Sequence, residues 1–209
     1  MNRRLNLHHF WGSHSPLSSL TGIGLIILAS SRFSHALLCV AALLWVYGLT
    51  ALVFSFARKI MPKRGKMIIL LFLSTFLCGI FILLLSLFNP LLVIGTVFFL
   101  ILIPPCCLGS GFFEALDSVD HFEAVLRALL EASVLAGIIL AFSLIREPLG
   151  MGIISIPGGP QGIIEIFSGN RAIGFLTIRF FSTTAGAFLL LGYFIALYRY
   201  FKKQRGHSE

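Results

Sequence analysis

The feature that most constrains this chain is a stretch from residue 67 to residue 113 without a single charged side chain. It consists mainly of Leu, Ile, Val and Phe. A water-soluble domain has about a quarter of its residues charged, because its surface must be hydrated. Here 57% of the residues are hydrophobic, 11% are charged and the mean hydropathy is +0.97. These values favour a chain whose solvent is largely lipid.

Six apolar segments are long enough, or nearly long enough, to cross a bilayer as helices. About 20 apolar residues span about 30 Å of hydrocarbon. The uncharged stretch is too long for one helix, and Asn89-Pro90 is a turn signal that divides it. The sequence therefore predicts an all-α integral membrane protein with six transmembrane segments: Ser13–Ser31, Phe33–Ala57, Met67–Phe88, Leu91–Ile103, Ala128–Ile145 and Phe180–Tyr198.

The first and fourth of these segments are weaker than the others. The first is rich in Ser and Gly, and the fourth is cut short by Pro104-Pro105. Short or interrupted helices at matching places in two halves are typical of inverted repeats. We therefore predict one membrane domain over residues 1–209. It would contain two inverted three-helix repeats, about 10–88 and about 90–201, each beginning with a broken or short helix.

Positive charge lies mainly at the ends of the apolar segments. The net charge is +8, and this placement favours anionic lipid and topology control over nucleic acid. With both termini cytoplasmic, the outer side has four basic residues: Arg32, Arg146, Arg171 and Arg179. The inner side then has twelve: Arg3, Arg4, Arg58, Lys59, Lys63, Arg64, Lys66, Arg127, Arg199, Lys202, Lys203 and Arg205. This asymmetry predicts cytoplasmic termini.

The loop Glu147–Thr177 then faces outward. It is rich in Gly and Pro, and its residues Ile163–Phe167 are apolar enough for a short interfacial helix. It contains no catalytic constellation that the sequence reveals.

Glu131 is an ionisable residue within the fifth segment. A carboxylate at that depth is costly and by default functional. However, Glu123, Arg127 and Glu131 follow one another at i, i+4 spacing, so they can form a charge ladder on one helix face. The ladder is the structural interpretation, and a part in ion translocation is the functional one.

The four cysteines do not follow a disulfide pattern. Cys39 and Cys78 lie within uncharged runs, where a small apolar residue would serve equally well. Cys106 and Cys107 follow Pro104-Pro105, and we expect this break to free backbone amides near their sulfur atoms. Thiolates bind Fe–S clusters or zinc. Adjacent cysteines point in different directions, so small buried thiols are the alternative interpretation.

Two stretches resemble a known family. AFSLIREPLGMGII, residues 141–154, resembles the pattern L-x-x-I-R-E-x-L-G-x-G at the end of a fifth helix. AGAFLLLGYFIALYRYF, residues 185–201, resembles the pattern P-G-A-F-x-x-L-G-x-x-I-A-L that opens a last helix. Both patterns belong to the Rnf/Nqr membrane subunits, RnfA and RnfE and their counterparts NqrD and NqrE. The likeness covers nearly the whole chain in length and segment order.

In this family, paired paralogous subunits each contribute cysteines from broken helices to a [2Fe–2S] cluster inside the membrane. The fourth helix breaks at a pattern like N-C-x-x-x-G-x-x-E-A-F. Cys107, Gly111, Glu114 and Ala115 keep that spacing, and Cys106 stands where Asn is usual. The resemblance therefore implies that Cys107 is the metal ligand and that Cys106 is its neighbour.

The first-half pattern of the family, G-L-C-P-x-L-A-x-T, differs here at its cysteine. Ser15 stands in that position, directly before Pro16. A hydroxyl is a hard ligand and a poor one for an iron–sulfur cluster. The adjacent His14 could substitute, since imidazole binds some [2Fe–2S] irons. Either Ser15 or His14 completes the ligand set, or this chain has lost the cluster.

The resemblance implies a subunit of a redox-driven ion-translocating complex in the bacterial inner membrane. Its partners would be a paralogous membrane subunit and the other subunits of the complex. Cytoplasmic termini match the RnfE/NqrD-like orientation. Glu131 and Glu114 are the candidate carboxylates for an ion pathway. The alternatives are a structural subunit of such a complex without a cluster, or a small-solute transporter built on broken helices.

Overall fold

The computed structural model of the protein describes residues 20–57, 65–109, 121–158, 162–168 and 179–205. These residues are mostly helical. In chain order, the elements are α1 (Leu20–Ala29), α2 (Phe33–Ala57), α3 (Lys66–Phe88), α4 (Pro90–Leu100), α5 (Ile103–Gly109), α6 (His121–Met151), β1 (Ile153–Pro157), β2 (Ile163–Ser168), a 3-10 turn (Arg179–Ser182) and α7 (Thr184–Arg205).

Four helical spans in the described part are long and apolar enough to cross a membrane. They are α2, α3, α4 together with α5, and α6 from Phe122 onward. In α7 the apolar stretch is shorter, Thr184–Leu197. The prediction of a mostly helical chain with several membrane-length helices is therefore confirmed. The arrangement in six spans and two inverted repeats stays a prediction, since the start of the first segment lies outside the described residues.

One face of α3 is open and strongly apolar. Phe72, Phe76, Leu83 and Leu87 have exposed fractions of 72%, 67%, 69% and 80%. Large apolar side chains along one helix face are unfavourable in water, whereas in a bilayer they contact lipid. This face is therefore the part of α3 that we expect to face the hydrocarbon.

The turn between α3 and α4 forms as the sequence predicts. Asn89 precedes Pro90, which occupies the first helical position, where its missing N–H is not needed. The side chain of Asn89 accepts a hydrogen bond from the amide of Leu92 at 3.4 Å and so caps α4.

The loop predicted to contain an interfacial helix at Ile163–Phe167 instead forms a β-hairpin, so that prediction is wrong and the fold is not purely α. Strands β1 and β2 pair antiparallel, with Ile156 opposite Ile164. β-branched residues on both sides of a Gly/Pro-rich turn favour strands over a short helix. Gly162 has a φ of 81°, and a Cβ there would lie 3.1 Å from Cγ of Leu92. The end of the hairpin thus rests on the start of α4.

The break in the fourth segment lies before the two prolines, not at them. Helix α4 ends at Leu100, and α5 begins at Ile103 with Pro104 and Pro105 in its first turn. Proline is tolerated in a first helical turn, because the N–H that it lacks would have no partner there in any case. The prediction that Pro104-Pro105 ends the segment is therefore wrong in position, and both adjacent cysteines lie on a helix.

Helix α2 lies at the centre of the described bundle and packs most extensively against α6. Along α6, Ala124, Ala128 and Ala132 recur every fourth residue and are buried. On α2, a Cβ at Gly48 would lie 3.3 Å from Cδ2 of Leu129. Small residues at the contact let the two backbones approach closely, as is common in membrane helices.

Contacts between helix termini define two ends of the bundle. At the hairpin end, Glu147 near the end of α6 binds the amide of Phe33, the first residue of α2, beside the strands. At the opposite end, Nζ of Lys66, the first residue of α3, lies 4.5 Å from the ring centroid of Phe54. We call this second end the basic end. It also contains the start of α6 and, because α7 begins beside Arg146, the C-terminal turns of α7.

Candidate functional site

Cys106 and Cys107 lie on α5, and neither has exposed surface. The amide of Cys106 donates a hydrogen bond to the carbonyl oxygen of Leu102 at 3.0 Å. The expectation that the proline pair frees amides near the sulfur atoms is therefore wrong for Cys106. Because the helix restarts before the prolines, the backbone at this cysteine is already bonded.

The other two cysteines join the adjacent pair. Cys39 on α2 and Cys78 on α3 belong to the same buried core as Cys106 and Cys107. The side chain of Tyr47 on α2 contacts both thiols of α5. Three helices thus contribute four buried thiols and a phenol to one core, and we call these five residues the thiol cluster. Sequence reasoning treated Cys39 and Cys78 as isolated apolar residues and missed this cluster.

Cys78 has a definite structural partner. Its Sγ donates to the carbonyl oxygen of Leu100 at 3.2 Å. In an uninterrupted helix this oxygen would accept from the amide four residues later, but that residue is Pro104, which has no N–H. The thiol of Cys78 therefore replaces a backbone donor that proline removes. A proline inside an apolar segment was the sequence signal for a buried oxygen that needs another donor.

The candidate ligands of an iron–sulfur cluster are only partly described. Cys107 and Cys106 belong to the thiol cluster, whereas Ser15, His14 and Glu114 lie outside the described residues. Within the described ranges, no group of three or more His, Cys, Asp or Glu side chains is arranged to hold one metal ion.

Glu131 lies on α6, in the part of that helix nearer the basic end. Arg127 forms a salt bridge with Glu123 at 2.7 Å, which confirms the first step of the predicted charge ladder. Arg127 also interacts electrostatically with Glu131. However, Oε2 of Glu131 is buried and makes no hydrogen bond with the protein. Glu131 thus interacts with Arg127 without a hydrogen bond at Oε2, whereas Glu123 forms a salt bridge with Arg127.

Arg146, 3% exposed, connects three parts of the fold at the hairpin end. A guanidinium has five N–H groups, and all five donate hydrogen bonds here. The acceptors lie at the end of α1 or directly after it, and just before α7, at 2.7–3.3 Å: the carbonyl oxygens of Ile27, Phe181, Ser182 and Thr183 and the hydroxyl oxygen of Ser30. A cation at the C-terminus of α1 also offsets the partial negative charge of the helix end. Arg146 has no N–H group left for a substrate.

Glu147, 1% exposed, forms the complementary contact. Its Oε2 accepts from the amide of Phe33 at 2.9 Å and from the amide of Ser155 at 3.3 Å, and its Oε1 accepts from the hydroxyl of Ser155 at 2.6 Å. A carboxylate at the N-terminus of α2 is favourable for the helix dipole. Two consecutive residues thus fix the end of α1 and the start of α2. We call this pair the Arg–Glu junction.

The Arg–Glu junction is the R-E of the sequence pattern that resembles the Rnf/Nqr subunits. Sequence reasoning singled out the pattern but not its partners. Ile27, which binds Arg146, and Phe33, which binds Glu147, each lie more than a hundred residues away along the chain.

Comparison of the sequence with protein-family models and with curated proteins gives no match.

Proposed function

We propose that this chain is a membrane subunit of an Rnf/Nqr-type ion-translocating electron transport complex, acting with a paralogous membrane subunit. The observation that carries the proposal is the thiol cluster, which a broken membrane-length segment positions among α2, α3 and α5. Soft thiol donors in a dry, protein-lined region suit one-electron metal chemistry. The motif resemblance supports the same assignment.

A [2Fe–2S] cluster, when bound, would supply one-electron transfer between neighbouring carriers. Cys107 would hold it, with Ser15 or His14 as the ligand from the first half of the chain. The thiol cluster meets the chemical requirement of soft donors. The number of ligands is not sufficient within the described residues, because no three of their His, Cys, Asp or Glu side chains are arranged to hold one metal ion. Further ligands would have to come from the partner subunit, and Cys107 would have to become accessible to them.

The complete burial of Cys107 favours a second candidate function, that of a structural subunit without a cluster. In this alternative the thiols contribute packing and donors to the core. Cys78 already has such a structural role through Leu100. The subunit would then hold the complex together and leave electron transfer to other chains.

Co-expression with a paralogous Rnf/Nqr membrane subunit, followed by anaerobic purification, tests the proposal. Membership of the complex predicts that the two chains purify together, and failure to do so overturns both candidate functions. A shared [2Fe–2S] cluster predicts about two iron atoms per heterodimer. An intact heterodimer without iron refutes the redox centre and supports the structural subunit.

A further inference from the structure

The carboxyl group of Glu131 lies on the membrane-length helix α6 without a donor for one of its oxygens. Its Oε2 is buried and makes no hydrogen bond with the protein. Glu147 on the same helix is the contrasting case, because its carboxylate accepts two hydrogen bonds from amides and one from a hydroxyl. A buried carboxylate needs such donors or a cation in contact, since the loss of hydration strongly disfavours the charged form. The surroundings of Glu131 therefore suit a neutral carboxylic acid.

Arg127, the cation nearest to Glu131 along α6, is bound to another carboxylate. It lies one turn before Glu131, and its Nη2 forms the salt bridge with Glu123 at 2.7 Å. Its Nε is buried and has no hydrogen-bond partner. Arg127 thus stands between two carboxyl groups, at i−4 and i+4, and forms a hydrogen bond with only one of them.

This face of α6 leads from the membrane interior to water at the basic end. The side chains of Arg127 and Glu123 are 36% and 52% exposed. At a rise of 1.5 Å per residue, Glu131 lies about 6 Å from Arg127 and about 12 Å from Glu123 along the helix axis. Exposed charged side chains at a helix start lie at the membrane boundary, so Glu131 lies about one turn inside the hydrocarbon. A proton on Glu131 therefore has a short route to water along this face.

Within the described ranges, the elements that pack against α6 bring no further charge to Glu131. These elements are mainly α1, α2, β1 and the 3-10 turn. The first three contain no Asp, Glu, Lys or Arg, and their titratable residues are all on α2: His35, Cys39 and Tyr47. Thiols and phenols are uncharged near neutral pH, and His35 lies at the hairpin end, as does Arg179 of the 3-10 turn. On α6 itself the remaining titratable residues are at least ten positions away: His121, Arg146 and Glu147.

We propose that Glu131 is a proton-binding site, and that Arg127 exchanges between Glu123 and Glu131 as the proton binds and leaves. With the proton bound, Glu131 is neutral and Arg127 pairs with Glu123, as in the structure. When the proton passes to water at the basic end, Glu131 becomes a carboxylate and Arg127 turns to it. A guanidinium one turn away repels Na⁺, so the proton is the ligand. The site involves no thiol and no partner chain, so its test is independent of the proposed function.

Infrared spectroscopy of the full chain in a mild detergent tests the proposal. A protonated carboxyl group has a carbonyl stretching band that a carboxylate lacks, and ordinary Asp and Glu side chains lose this band by about pH 6. The unmodified chain should keep one such band above about pH 6, and Glu131→Gln, which has the shape of the neutral acid, should lack it. Glu165→Gln removes an exposed carboxyl group on β2 and is the matched control that should keep the band.

Two further variants test the exchange of Arg127. Glu123→Gln releases Arg127 to Glu131, so the band should disappear at a pH about one unit lower than in the unmodified chain. Arg127→Gln removes the cation, so the band should persist to a higher pH. Disappearance at the same pH in all three chains overturns the exchange.

The proton assignment has its own refutation. A band above about pH 6 that survives in Glu131→Gln, or the absence of such a band in the unmodified chain, overturns the proposal. Replacement of K⁺ by Na⁺ at constant ionic strength should leave the titration unchanged. Loss of the band at a lower pH in Na⁺ also overturns the proposal, because Na⁺ would then compete for the carboxylate.

Discussion

Replacement of Arg146 by lysine tests the Arg–Glu junction. An ammonium group has three N–H donors and a guanidinium has five, so at least two of the five hydrogen bonds that Arg146 donates are lost. A buried acceptor left without a donor costs about 1–3 kcal/mol. Some of these acceptors are part-buried and water can reach them, so we expect a loss of about 2–4 kcal/mol in the free energy of unfolding.

The buried cysteines supply the assay. Cys39, Cys78, Cys106 and Cys107 are at most 2% exposed, so a thiol-reactive dye should label them only when the bundle opens. The purified protein in mild detergent is titrated with sodium dodecyl sulfate, and labelling gives the unfolded fraction. Arg146→Lys should unfold at a clearly lower dodecyl sulfate fraction than the unmodified chain.

A matched control is Arg127→Lys, which changes an exposed i, i+4 ion pair with Glu123. Such pairs contribute less than about 1 kcal/mol, so its midpoint should stay near that of the unmodified chain. If Arg146→Lys were as stable as Arg127→Lys, the guanidinium would not be the structural connection that its five hydrogen bonds suggest.

Three further substitutions can be measured in the same titration. Glu147→Gln keeps the shape but removes the charge at the start of α2, and it should cost about 1–2 kcal/mol; an unchanged midpoint would contradict the capping role. Cys78→Ala should cost about 1–3 kcal/mol, because the carbonyl oxygen on α4 loses its donor, whereas Cys78→Ser should retain most of the stability. Gly186→Ala should destabilise the protein strongly, because its Cβ would overlap the carbonyl oxygen of Phe180 and the backbone there would have to shift, and an unchanged midpoint would contradict this contact. At Gly192 a Cβ meets nothing within 4 Å, so alanine should be tolerated there.

The apolar segments and the turn at Asn89 could be predicted because they depend on local properties. A run of uncharged residues is costly in water wherever the rest of the chain lies, and Asn-Pro disfavours a continuous helix by itself.

The β-hairpin and the position of the helix break could not be obtained in the same way. For Ile163–Phe167, the apolar character alone suggested a helix, whereas pairing with β1 decides for a strand. Pro104 predicts an interruption of the helix, but the sequence does not show whether the interruption lies before or after this residue. The carbonyl oxygen of Leu100 has no amide donor at position 104, because that residue is proline. The thiol of Cys78 donates to it instead, in a contact between α3 and α4.

The candidate site depends even more on distant contacts. Cys107 was singled out by its motif, but its association with Cys39 and Cys78 follows from the packing of three helices. Glu147 was part of a motif too, yet its partner Phe33 is 114 residues away. Neither association leaves a spacing pattern in the sequence, so neither could be read from it.

The proposal that Cys107 binds a shared cluster is tested most directly by electron paramagnetic resonance of the reduced heterodimer, purified anaerobically. The proposal predicts a [2Fe–2S] signal that is lost in Cys107→Ser and retained in Cys106→Ser, with Cys78→Ser as a thiol control that keeps the structural donor. A signal that survives in Cys107→Ser but disappears in Cys106→Ser, or an intact heterodimer with no signal in the unmodified chain, would contradict it.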